Sequence, residues 1–197
     1  MSEFFERPAA DRSLIGRMIR AAQLDTRLYA EVEADDTATS QAATVVLLSA
    51  LAGGVNFPAQ PGLILLGGIL ALVSWYFFSY IVYLVGGRLL PEPQTKANFK
   101  AILRAVGFAY APGVLRLLGI VPELQAPVLF VAFVWMLVAT ITAVRHALSY
   151  TSSWRAIGVC SIPLLGQLIV SALFAYTLTP YDEQGTGEPP VVLPWFN

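Results

Sequence analysis

Residues 62–87 read GLILLGGILALVSWYFFSYIVYLVGG, 26 consecutive residues without a charge. At about 1.5 Å rise per residue, a helix of that length exceeds the ~30 Å hydrocarbon core of a bilayer, so the segment reads as a tilted or protruding membrane span. Four further apolar stretches lie around it, at residues 41–57, 101–121, 126–144 and 156–178. Lipid offers no water to unpaired backbone groups, which leaves helices or closed barrels. These stretches are too long for barrel strands and do not alternate, so all five read as helices.

Composition agrees. The mean hydropathy is +0.65, 56% of residues are hydrophobic and only 13% are charged, outside the usual range for a soluble domain. Thirteen acidic residues nearly balance twelve basic ones, which gives no sign of nucleic-acid binding. The single cysteine, Cys160, excludes an intrachain disulfide and any multi-cysteine metal site.

The basic residues orient the spans. Arg7, Arg12, Arg17, Arg20 and Arg27 precede the first, and none separates the first from the second. Arg88, Lys96, Lys100 and Arg104 lie between the second and third, and Arg145 and Arg155 between the fourth and fifth. Arg116, beside Glu123, is the only one between the third and fourth, and nothing basic follows the fifth. Lys and Arg are retained on the cytoplasmic side, so the N-terminus is expected inside and the C-terminus outside.

Residues 13–34 differ in kind. At 100° per residue, Leu14, Ile15, Met18, Ala22, Leu28, Tyr29 and Val32 share one arc, with Arg17, Arg20, Arg27 and Glu31 on the other. Asp25 intrudes on the apolar side, so one continuous helix and two helices with Asp25 capping the second are both open. The arginine face makes Arg17, Arg20 and Arg27 candidate contacts for a membrane surface, with packing on the bundle as the alternative. The acids Glu31, Glu33, Asp35 and Asp36 read as a solvated spacer before the first span. The expected fold is therefore all-α and integral to the membrane, with five transmembrane helices and an N-terminal amphipathic cytoplasmic helix. Its parts are a cytoplasmic segment (1–36), a membrane domain (37–179) and an irregular non-cytoplasmic tail (180–197).

No catalytic set accompanies this architecture, and the chain is not expected to be an enzyme or to carry a cofactor. His146 stands alone at the end of the fourth span, where an end-of-helix polar anchor is the simplest reading. The spans lack the carboxylates of a proton relay, and Arg104 and Arg116, about 18 Å apart along a helix, read as snorkelling ends. Ala50 with Gly54 and Gly67 with Ala71 are small-xxx-small pairs that suit close helix approach. Span two carries Trp75, Tyr76, Phe77, Phe78, Tyr80 and Tyr83, a packing cluster or a cradle for a quinone, pigment or lipid. The most distinctive stretch is Gly107-Phe108-Ala109-Tyr110-Ala111-Pro112-Gly113 in span three. Pro112 lacks a donor and clashes with the carbonyl of Phe108, so the helix should kink or break there. If span five, with Pro163 and Gln167, faces that break, then Gly107, Tyr110, Pro112, Gly113 and Gln167 form a candidate polar pocket; otherwise Pro112 is a simple kink.

Gly107-Phe108 followed by Pro112 is similar to the glycine–aromatic…proline signature of the Yip-domain family, the five-span Ypt/Rab-interacting membrane proteins. Trp135, the run Ala143-Val144-Arg145-His146-Ala147-Leu148 and Arg155-Ala156 resemble its bacterial branch, as do Arg17-Met18-Ile19-Arg20 and Tyr29-Ala30-Glu31-Val32. The resemblance covers residues 14–178. It implies a five-helix bundle with a cytoplasmic N-terminus, in a bacterial cytoplasmic membrane, contacting lipid and other membrane proteins. In eukaryotic relatives it implies Rab-type GTPase contacts, but their acidic-leucine-tyrosine-glycine-proline motif is missing here, which argues against GTPase binding. The expected role is a non-enzymatic scaffold, adaptor or lipid-organising component. The alternative is an accessory subunit of a larger membrane complex holding a quinone, pigment or lipid.

Overall fold

The computed structural model describes residues 11–54 and 61–178 and, among them, only helices and turns. Their order is α1 (Leu14–Ala22), α2 (Thr26–Ala34), α3 (Ala38–Gly54), α4 (Pro61–Leu84), α5 (Phe99–Phe108), α6 (Pro122–Ala147) and α7 (Ser153–Leu178). A π-helical turn, Val85–Leu89, prolongs α4, and a 3-10 helix, Ala111–Ile120, follows α5. The expected tail at 180–197 lies outside the described residues.

Three segments are long and apolar enough to cross a bilayer: Ile64–Leu89, Phe99–Ile120 and Pro122–Ala147. The other two expected spans appear as shorter apolar helices among the described side chains, Ala38–Gly54 and Ser153–Ile169. Burial ranks the three long segments. The second is 67% buried inside the protein, against 17% and 22% for the others. The broken segment is the axis of the bundle, and α4 and α6 turn large apolar side chains outward. Leu65, Leu66, Ile69, Leu70 and Phe77 of α4 are exposed, as are Phe130, Val131, Phe133 and Val134 of α6. In water such a surface would be a liability, whereas hydrocarbon solvates it.

The N-terminal segment is two helices rather than one. Ser13 caps α1 by accepting from the Gly16 amide (3.0 Å). Leu24, in the left-handed region at φ 59°, ends it. The Asp25 amide then reaches the Arg20 carbonyl and the Leu24 amide the Ala21 carbonyl, both at 3.0 Å, the paired bonds of a Schellman ending. Asp25 at once caps α2 by accepting from the Arg27 amide. The Asp25 that disturbs the apolar arc is thus the residue that separates the helices. Leu28, Tyr29 and Val32 of α2 are buried against the bundle, and the Tyr29 ring stacks on His146, centroids 6.2 Å apart. The last carbonyl of α1, at Ala22, accepts from the Trp135 indole (2.8 Å).

Loops at one end of the bundle are tied to each other. Glu92 accepts from the amide and hydroxyl of Thr151 (3.1 and 3.0 Å) and pairs with Arg155 at 3.4 Å. Tyr150 donates to the carbonyls of Gly86 and Leu90 (2.8 and 3.0 Å). Arg104, at the start of the central segment, pairs with Asp36 at 2.8 Å and also donates to the Glu33 carbonyl. The N-terminal segment, the 90–98 loop and the 148–152 loop therefore share one end. Arg104 does not snorkel. It is 2% exposed, because the acids preceding α3 reach over it.

Candidate functional site

The site grows from Pro112. Around it the backbone tightens to i→i+3 spacing: the Tyr110 amide donates to the Gly107 carbonyl (3.2 Å) and the Gly113 amide to the Tyr110 carbonyl (2.9 Å). This is how the chain accommodates a residue with no donor, by ending the α-helix at Phe108 and restarting as a 3-10 helix. One expected span is two rods with a joint between them.

Two glycines let that joint sit at the centre. A Cβ on Gly107 would stand 2.7 Å from the Ala42 Cβ and 3.1 Å from the Trp75 ring. A Cβ on Gly113 would overlap the Ser49 hydroxyl and lie 2.8 Å from the Met136 sulfur. Close approaches are made here, as they are at Gly86 against Leu148 and at Gly87 against Ala97. The expected pairs fare differently, for Gly54 and Gly67 have open space beside them. Trp75 further ties α4 to the central segment by donating to the Leu103 carbonyl (3.0 Å). Arg116, one turn beyond the joint, also does not snorkel. Its guanidinium donates to the Gly113 carbonyl (3.0 Å), the Ser49 carbonyl (2.6 Å) and the Ser49 hydroxyl (2.8 Å).

Beside the joint lies a partly open cavity of about 170 Å³ between α4, α6, α7 and the central segment. Tyr110 and Gln167 both line it, together with Ser74 and Thr140. Phe78, Phe133 and Met136 supply apolar wall. The Gln167 side chain does not bond Tyr110; its carbonyl accepts from the Ser74 hydroxyl (2.8 Å). Thr140 is satisfied within its own helix, donating to the Met136 carbonyl (2.8 Å). Gly107, Pro112 and Gly113 form the joint behind Tyr110 and do not line the cavity. Ser74 and Thr140 carried no distinguishing signal in the sequence, since a lone hydroxyl in a span most often bonds its own helix.

The three N-terminal arginines divide. Arg17 is 1% exposed, and its guanidinium donates to Glu31 (2.9 Å), Asp35 (2.6 Å) and Gln41 (2.9 Å). Arg20 bridges Asp25 (2.9 Å) and Glu31 (2.7 Å). Of the three, only Arg27 is exposed. As a lipid-surface contact Arg17 is corrected: three acceptors surround it, and a buried cation must be paired. The solvated-spacer reading of the acids is corrected with it, because Glu31 and Asp35 are its counter-charges. The outward side of α1 is apolar instead, with Ile15 70% and Ile19 53% exposed.

Carboxylate chemistry follows the pairing. The Thr37 hydroxyl, then Arg17, hold the Asp35 carboxyl down at about 2. Burial pushes Glu31 up, but hydrogen bonds from Arg20 and Arg17 outweigh it and leave it below its ordinary range. Glu33 moves the other way, raised by burial that Arg104 and Lys96 only partly offset. Among the described residues no group of three His, Cys, Asp or Glu could hold a metal ion.

Compared with known proteins, the chain matches a family model, the Yip1 domain, over residues 34–175. No curated protein and no solved structure gives a significant match. The matched region takes in the broken central segment, the cavity and the exposed faces of α4 and α6, and leaves out α1. It covers well over half of the sequence, and the chain is a membrane protein that belongs to the Yip1 domain family.

Proposed function

We propose that this protein is a non-enzymatic scaffold or adaptor of the bacterial cytoplasmic membrane, organising lipid and neighbouring membrane proteins through the outer faces of a five-span bundle. The N-terminus and the loops around Glu92 and Thr151 lie in the cytoplasm, and the C-terminus lies outside. The observation that carries this reading is the division of surfaces. Arg116 of the broken segment turns inward onto Ser49 of α3, while α4 and α6 present large, mainly apolar outer faces on which α4 also carries Tyr76 and Tyr80. A protein built this way meets its partners sideways, in the plane of the membrane.

The shared end of the basic loops supports the orientation, since Arg104, Arg155 and the acids they pair with gather there. A photo-reactive residue placed at Phe77 or Phe130, on the two exposed faces, should give discrete protein adducts of the same size from repeated preparations of intact membranes. The same group at the buried Val106 should give none. Adducts spread evenly over both faces, with no recurring protein, would contradict a scaffold role.

A further inference from the structure

We propose that the cavity beside Tyr110 is a binding site for a neutral, ring-headed, oxygen-bearing molecule dissolved in the bilayer, a membrane quinone by chemical class. The inference rests on the membrane placement of the bundle given above. It adds a ligand site to that reading and does not depend on any protein partner.

Four observations lead there. The first is size: a 150 Å³ apolar cavity is known to hold one benzene, so about 170 Å³ takes one substituted ring. The second is wall chemistry, for Phe78 and Phe133 offer ring faces and Met136 a polarizable sulfur. The third is the state of the polar groups. Ser74 is spent on the carbonyl of Gln167, and Thr140 on its own helix. That leaves the two amide hydrogens of Gln167, while no described residue bonds the Tyr110 hydroxyl. Donors on residues that line a cavity facing the bilayer want an acceptor that hydrocarbon cannot supply. A ring carbonyl or hydroxyl can, and an acyl chain cannot. The fourth is charge and access: no Asp, Glu, Lys, Arg or His lines the cavity, which suits a neutral headgroup better than a charged one, and Phe133, 61% exposed, places its mouth on the lipid-facing surface. A molecule entering from the bilayer therefore reaches Tyr110 and Gln167 without crossing water.

The test uses the full chain in mild detergent and two probes with the same tail, decylubiquinone and decylbenzene, followed by quenching or displacement on intrinsic tryptophan fluorescence. Decylubiquinone should bind saturably, and more tightly than decylbenzene. Tyr110→Phe and Gln167→Leu should each weaken decylubiquinone by about threefold, the loss of one intramembrane hydrogen bond, and leave decylbenzene unchanged. Leu137→Trp, which fills the cavity from α6, should abolish binding of both while keeping the helical circular dichroism of the parent. Failure of decylubiquinone to saturate the folded parent would overturn the proposal, as would equal affinities in parent, Tyr110→Phe and Gln167→Leu. Either result leaves the membrane scaffold reading intact, because that reading is tested by cross-linking and by topology.

Discussion

Replacing Gly113 by alanine should destabilise the bundle by about 1–3 kcal/mol, although alanine is ordinarily the better helix former. The added methyl has nowhere to go. It would overlap the Ser49 hydroxyl and crowd the Met136 sulfur, so α3 or α6 must move away from the joint. Ser49 is also the acceptor of Arg116, and displacing it removes a partner from a half-buried guanidinium. Steric and polar losses therefore add at one position, and Gly113→Val, with two more carbons, should not yield a folded protein. Gly67→Ala is the matched control, since nothing lies within 4 Å of its Cβ position, and it should be neutral or mildly stabilising. Denaturation of the purified variants in a detergent mixture measures both. A Gly113→Ala variant within about 0.5 kcal/mol of the parent would mean that α3, α6 and the joint are not packed as described.

The second large effect is expected at Arg17. Arg17→Ala removes the cation shared by Glu31, Asp35 and Gln41, leaving Asp35 without its counter-charge and Glu31 with Arg20 alone. Breaking one side of a buried ion pair costs about 3 kcal/mol, enough to release α1 and α2 from the bundle. Arg17→Lys should rescue little, because three acceptors in different directions need the guanidinium fork. Arg27→Ala, on an exposed arginine of the same segment, should change stability by less than about 0.5 kcal/mol. Protease cleavage in the stretch between Gln23 and Thr37 reports the release.

The same network sets a pH dependence. Asp35 is held at about 2 in the folded protein against 3.8 unperturbed, so its stabilisation is complete above 3.8 and is lost as pH falls toward 2. Glu31, also depressed, loses its contribution in the same direction. The N-terminal pair of helices should thus become protease-sensitive in acid before the rest of the bundle. In Arg17→Ala that acid step should shrink without vanishing, because Thr37 still lowers Asp35 and Arg20 still pairs with Glu31.

Sequence patterns located the joint more readily than the faces around it. Pro112 removes a donor wherever it sits in a helix, so a break near Phe108 follows from one residue's covalent structure. Asp25 is similar, since a short acid on an apolar arc is a cap waiting for a helix start. Which face of α1 turns inward is another matter. Periodicity groups Arg17 with Arg20, but the acids that draw Arg17 inside lie 14 and 18 positions away, and no local pattern announces that meeting. The small-residue pairs misled for a related reason. Gly67 and Gly113 look alike along the chain, and only the position of α3 and α6 makes one indispensable and the other open. The cavity was legible in part, through Tyr110 beside a proline and Gln167 in an apolar run. Ser74, which holds the Gln167 amide, was not, because the two lie 93 positions apart.

The proposed five crossings, with the central segment spanning the membrane, make a topology that can be read directly. In a Cys160→Ser background, Gln94→Cys and Gln184→Cys place one thiol in the loop before α5 and one in the tail after α7. A membrane-impermeant maleimide applied to intact cells should label the tail thiol alone, and the loop thiol only after the membrane is opened. Labelling of both thiols from the same side would mean an even number of crossings between them, and would contradict the five-span bundle.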